Sequence, residues 1–201
     1  MRLEASGKGT AAVRVKYVGD VNARLHSYYR NRSQSELRKI FEGRVAGSAS
    51  QATLLQAGIV GIEDNRQTIA EEFSFSGEFA TASSGESWFF QPLFFAGMAG
   101  LQLGSQPRVH PFDLGAPYHL KGDYRIELPP SMKIDRLPDA VSVQSEFGSV
   151  QIKYSLSGNV LEVHQALSFT FSRIPPEKFP EFREFINRTR SLGRLVRVVH
   201  D

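Results

Sequence analysis

Histidines and acids are the side chains of this sequence best equipped for chemistry near neutral pH, and one short segment gathers four of them. His110, Asp113, His119 and Asp123 offer imidazole and carboxylate donors of the kind that hold zinc or manganese. Their spacing matches neither the i, i+4 repeat of a helix nor facing positions of a hairpin, and Pro111 and Pro117 keep the segment extended. The segment reads as a polar connector, and no metal ligand is assigned. Glu63-Asp64 and Glu71-Glu72 are a second source, because the two carboxyls of a glycosidase need to be close only in space. Their context predicts charges on exposed strand or turn surface. A serine hydrolase needs a nucleophile elbow with a histidine and an acid, and no G-x-S-x-G occurs. The chain has no cysteine, which removes thiol nucleophiles, disulfides, zinc–thiolate sites and iron–sulfur clusters. It also lacks a P-loop, a dinucleotide-binding glycine fingerprint and an EF-hand loop. No catalytic residue and no cofactor follows from these residues.

Binding chemistry has better material. Tyr28, Tyr29, Arg30 and Arg32, followed by Arg38, Lys39 and Arg44, interleave aromatic planes with guanidinium groups. Such a patch can stack on rings and hold anions, although Glu36 and Glu42 dilute it. Trp88, with Phe89 and Phe90, could line the apolar face of a sugar. Tyr28, Tyr29, Arg30, Arg32 and Trp88 are therefore the candidate binding residues. A nucleic-acid partner is not expected, because the net charge is only +3 and evenly spread. Residues 1–105 carry 11 basic against 10 acidic side chains, and residues 106–201 carry 13 against 11. The longest apolar run, Trp88 to Leu101, is interrupted by Gln91, Pro92, Gly97 and Gly100. It falls short of the ~20 residues that cross a bilayer as a helix, so no transmembrane segment is expected.

The elements that position these residues are mostly strands. Val13, Val15 and Tyr17 alternate with Arg14 and Lys16, Gly19-Asp20 signals a turn, and Asn22 to Arg32 is expected to return as a second strand. Ser33-Gln34-Ser35-Glu36 fits a capping box, and Leu37, Ile40, Phe41 and Val45 follow at helical spacing, predicting a helix over residues 34–45. Ile69, Glu71, Phe73, Phe75 and Gly77 recur with period two. Ser83 to Ser87 reads as a turn and Gly104 to Pro107 as a linker. In the second half Tyr118 to Leu128, Val141 to Leu156 and Val160 to Phe171 alternate as strands. Leu128-Pro129-Pro130 ends the first of these and Leu137-Pro138 ends the short strand expected after it, so Lys133 and Arg136 between them read as scaffold. Phe182, Phe185, Ile186 and Thr189 form a helical stripe in residues 177–192, with Gly193 as its cap and Leu195 to Val199 as a last strand. Strands grouped with segregated helices predict an α+β, mainly β fold. The expectation is antiparallel β-sandwich-like sheets in two subdomains, residues 1–105 and 106–201, each decorated with one amphipathic helix.

A resemblance sharpens this. Arg108-x-x-Pro111-x-Asp113-Leu114, a strand ending in Leu128-Pro129, then Leu137-Pro138, paired strands, and Ile174-Pro175 with Phe179 to Phe185 occur in that order. This order resembles the C-terminal β-rich region of bacterial transglutaminase-like proteins, a domain of unknown function outside their catalytic core. The resemblance extends to the first half through Gly19, the arginine-bearing segment and the Ser-Glu helix start. It implies a noncatalytic accessory module of a larger protein, periplasmic or in the cell envelope, whose partner is a protein: its own upstream catalytic domain or another chain. The family's catalytic residues belong to the core and have no counterpart here. A peptide- or glycan-binding module is the alternative, and an unrecognised hydrolase the third.

Overall fold

The computed structural model describes residues 1–17, 20–64, 66–83, 87–92, 103–104, 106–115, 117–190 and 195–200. The chain forms two compact units, Met1–Thr81 and Ala82–Asp201. Strand predominates in both, and every pairing named below is antiparallel. The expected turn at Gly19, most of the apolar run to Leu101, Ser105 of the linker and the Gly193 cap lie outside the described residues, as does the centre of the Ser83 to Ser87 turn.

The first unit holds β1 (Arg2–Leu3), β2 (Lys8–Lys16), α1 (Asp20–Tyr29), α2 (Gln34–Ala46), β3 (Ser50–Val60) and β4 (Ala70–Glu78). Its strands lie in the order β1-β2-β4-β3. Ala11 faces Phe75, Val13 faces Phe73 and Val15 faces Glu71, so period-two alternation puts these six on one side of the sheet. Helix α2 covers that side through Phe41 and Val45, with the Phe41 ring 5.3 Å from Phe73. The capping box forms as read: the Ser33 hydroxyl accepts from the Glu36 amide, and the Glu36 carboxylate accepts from the Ser33 amide at 2.8 Å.

Residues 20–29 correct the expected second strand, because they are helix. The first unit therefore carries two helices where one was expected. The reason is a polar helical face, described below, that apolar periodicity does not register.

The short β5 (Ala80–Ala82) spans the boundary. The second unit continues with β6 (Ser87–Phe90), β7 (Phe112–Asp113), β8 (Tyr118–Glu127), β9 (Met132–Ile134), β10 (Val141–Ser145), β11 (Gly148–Ser157), β12 (Val160–Phe169), β13 (Arg173–Ile174), α3 (Phe179–Arg190) and β14 (Val196–His200). Its larger sheet runs β10-β11-β12-β8, and β6-β14-β9 form another. Leu161, Val163, Leu167 and Phe169 are buried on one face of β12. Gly148 opens β11 because a Cβ there would sit 1.9 Å from the Ser168 carbonyl oxygen. Helix α3 buries Phe179, Phe182, Phe185 and Ile186. The Phe182 ring lies 5.5 Å from Phe147 and 6.4 Å from Phe169. Among the described residues, helix α2 sets Phe41 against Phe73 in the first unit and helix α3 sets Phe182 against Phe169 in the second.

Candidate functional site

The first unit is organised around one carboxylate. Glu71, on the helix-covered face of β4, is 0% exposed, which corrects the expectation of a surface charge. A buried carboxylate is tolerated only when paired and hydrogen-bonded. Here the Tyr17 hydroxyl donates to it at 2.9 Å, the Tyr29 hydroxyl donates at 2.5 Å, and the Arg44 guanidinium pairs with it. Arg44 also donates to the Tyr29 hydroxyl at 2.8 Å. One carboxylate thus ties the exit of β2, helix α1 and helix α2 to β4. Burial first, then the charge of Glu71, pushes the Tyr17 hydroxyl up from 10.0 to about 12. Burial and the Glu71 hydrogen bond raise Tyr29 as well. Burial alone would lower Arg44, but the hydrogen bond and charge of Glu71 outweigh it and raise it. The arrangement favours neutral tyrosines and a permanent guanidinium, which is a structural staple rather than a poised acid and base.

The same face of α1 explains why it is a helix. Asn22, His26 and Tyr29 recur at i, i+4 and i+7, one stripe of a helix. Asn22 and His26 bind the segment leading into β4, and Tyr29 binds Glu71 within it. The Asn22 amide accepts from the Ile69 N–H at 2.7 Å and donates to the Gln67 carbonyl at 3.2 Å. His26 lies 3.0 Å from that carbonyl through Nε2, which must donate because a carbonyl only accepts. His26 is buried, and its Nδ1 has no hydrogen-bond partner among the described residues.

The five candidate binding residues separate. Tyr29 is buried in the staple, whereas Tyr28 beside it is 44% exposed, with the two rings edge-on at 4.9 Å. The Arg32 guanidinium stacks over Tyr28 at 4.7 Å and pairs with Glu36 at 3.2 Å. Arg30 and Arg32 line a cleft of about 400 Å³ at the α1–α2 corner, closed on its other side by Gly58, Ile59, Ile62 and Glu63. Trp88 belongs to the second unit, half-buried in β6 opposite Val198.

The four residues weighed as metal ligands do not gather: among the described residues no cluster of three or more histidines or acids could hold a metal ion. Asp123 instead pairs with His164 at 2.7 Å across β8 and β12, on an exposed strand face. Arg197 bridges Asp135 at 3.1 Å and the buried Ser87 hydroxyl at 3.0 Å. Arg108 lies over Phe112 at 4.9 Å and Phe179 at 5.0 Å, so this basic residue serves the aromatic core. Gln165 is 3% exposed on β12, opposite Gly122 and Ile152, and neither polar atom of its amide has a partner among the described residues.

A mainly β fold with helices laid on its sheets carries a buried carboxylate network in one unit and an aromatic cluster in the other. The chain belongs to the DUF3858 family, a domain of unknown function, whose family model matches residues 86–194, from β6 through α3. No curated protein and no solved structure matches the chain. No helix among the described residues is long and apolar enough to cross a membrane.

Proposed function

We propose that this chain is a noncatalytic accessory module that makes protein–protein contacts, as in the C-terminal β-rich region of the transglutaminase-like proteins it resembles. The observation that carries the reading is the open side of the first unit. There β3 is the last strand of the sheet among the described residues, with Leu55 at 48% and Val60 at 47% exposure on one strand. Apolar side chains grouped along a strand edge mark a contact surface more than they mark a reaction site. The staple around Glu71 supports the same reading, since its side chains hold elements together. A second reading, peptide binding, draws on the cleft beside Arg30 and Arg32, whose volume falls at the lower end of the range of ligand pockets.

The test is made on the full gene product. If a cysteine-bearing transglutaminase-like core lies in the same protein, deleting residues 1–201 is expected to lower that core's activity or thermal stability. A core indifferent to the deletion, or the lack of any such core, overturns the accessory reading. Peptide binding is separated by Arg32→Ala, which weakens peptide affinity but leaves the core's activity unchanged.

A further inference from the structure

The cleft at the α1–α2 corner carries charges of both signs. Arg30 and Arg32 line it from the corner, and Glu63 lines it from the segment that follows β3. Arg32 is held in place from two sides. Its guanidinium lies over the Tyr28 ring at 4.7 Å, and one of its several N–H donors goes to Glu36 at 3.2 Å. Among the described residues Glu36 is the carboxylate that Arg32 pairs with, so Arg32 and Glu63 share the cleft without neutralising each other. Leu37, Ile59 and Ile62 line the same space and are only half-buried, which leaves apolar surface open to water. Tyr29 forms part of the wall, and its hydrogen bond to Glu71 at 2.5 Å fixes that wall to the sheet.

We propose that this cleft binds a free α-amino acid with an aliphatic side chain, such as leucine. Three features of the cleft meet in that ligand. Its carboxylate answers Arg30 and Arg32, because a guanidinium grips a carboxylate through paired N–H donors. Its ammonium answers Glu63. Its branched side chain covers Leu37, Ile59 and Ile62 and removes that surface from water. A simple anion would bring like charge to Glu63, and a simple cation would bring like charge to two arginines. A ligand bearing both charges avoids both repulsions, which is how such a site rejects the alternatives. The volume, about 400 Å³, is enough for one amino acid. A residue in the middle of a peptide has neither backbone charge and would leave the arginines and Glu63 unanswered. This inference goes beyond the accessory reading and needs no catalytic core. It differs from peptide binding in its ligand, and the test separates the two.

Titration of the full chain with leucine, followed by backbone amide NMR shifts, tests it. Two analogues run beside it: 4-methylpentanoate, which lacks the ammonium, and 3-methylbutylamine, which lacks the carboxylate. Leucine should bind with a dissociation constant between roughly 100 µM and about 1 mM, and each analogue about tenfold more weakly. The shifts should concentrate at residues 30–37 and 58–63. Arg32→Gln should weaken leucine about tenfold and leave the amine no weaker. Glu63→Gln should weaken leucine about fivefold, yet tighten 4-methylpentanoate by removing a like charge. Arg32 and Glu63 are both exposed, so both variants should keep the wild-type circular dichroism and melting temperature. Leucine that leaves the cleft amides unshifted overturns the proposal. So does 4-methylpentanoate binding as tightly as leucine, or a Glu63→Gln variant that binds leucine like the wild type. A tripeptide capped at both ends, acetyl-Ala-Leu-Ala-amide, that binds the cleft more tightly than leucine overturns it in favour of peptide binding.

Discussion

The two compact units solve the problem of fixing helices on a sheet in opposite ways. In the second unit, α3 presents Phe179, Phe182 and Phe185 to a cluster that includes Phe112, Phe147 and Phe169, with ring centroids 5.5 to 6.4 Å apart. Burial of area holds that helix, and area is indifferent to small rotations. In the first unit, α2 buries only Phe41 and Val45 on the sheet, and hydrogen bonds that converge on Glu71 from Tyr17, Tyr29 and Arg44 add to that burial and hold α1 as well. Those bonds are directional, so they set the rotation of each helix as well as its contact. The contrast teaches that a buried polar group stabilises only where it is fully answered. Glu71 is answered by three donors, while Gln165, equally enclosed in the second unit, has none among the described residues.

The largest expected effect comes from the aromatic unit. Phe182 is 0% exposed and touches both Phe147 and Phe169, so Phe182→Ala should cost about 4 kcal/mol through lost burial and the cavity left behind. Urea unfolding followed by hydrogen exchange should show the loss in α3 and β12. Next in size, Glu71→Gln keeps the shape but leaves the Arg44 guanidinium without its counter-charge. It should cost about 3 kcal/mol, with protection lost in α1 and α2. If Glu71→Gln is silent, the staple contributes no more than surface pairs do. The third substitution should have the opposite sign. Gln165→Met replaces an unanswered amide by an apolar chain of similar length, and should raise stability by about 1 kcal/mol in the same urea titration. A loss there would mean that the amide is satisfied, and the contrast between the units would fail.

Helix α2 was legible because its signals are local: Ser33 and Glu36 cap it, and Phe41 and Val45 recur on one face. The stripe of α3 was legible for the same reason, and so were the alternating strands β8, β11 and β12. Helix α1 was not legible, because its sheet-bonding stripe is Asn22, His26 and Tyr29, polar side chains whose partners at Gln67, Ile69 and Glu71 lie more than forty residues away. A helical repeat of hydrogen-bonding residues was the available signal, and apolar periodicity passes over it. Glu71 left a trace too. It interrupts the period-two face of Ile69, Phe73 and Phe75, and an acid on such a face must point inward. Tyr17, Tyr29 and Arg44, however, are 54, 42 and 27 residues distant, and nothing in one sequence pairs them. The candidate patch at Tyr28 to Arg32 marked the right corner of the molecule, but neighbouring tyrosines on a helix face different ways, so one of them is core.

The smallest effect is a slope rather than a loss at neutral pH. The Tyr17 hydroxyl, half-buried against Glu71, titrates at about 12 in the folded chain against 10.0 when unfolded. A raised folded value means that the folded chain holds this proton more tightly. The stability it contributes is complete below about pH 10 and declines as pH rises from there towards 12. Urea midpoints measured from about pH 8.5 to about pH 11.5 should therefore fall in the wild type across the upper part of that range. Tyr17→Phe removes the titrating group and should flatten the fall in part, because Tyr29 is raised as well and still titrates. Phe182→Ala, in the other unit, should shift the curve without altering its slope. Equal slopes in the wild type and Tyr17→Phe would show that the carboxylate does not hold this tyrosine neutral, which would remove the alkaline signature of the staple and leave the first unit to be held by area, like the second.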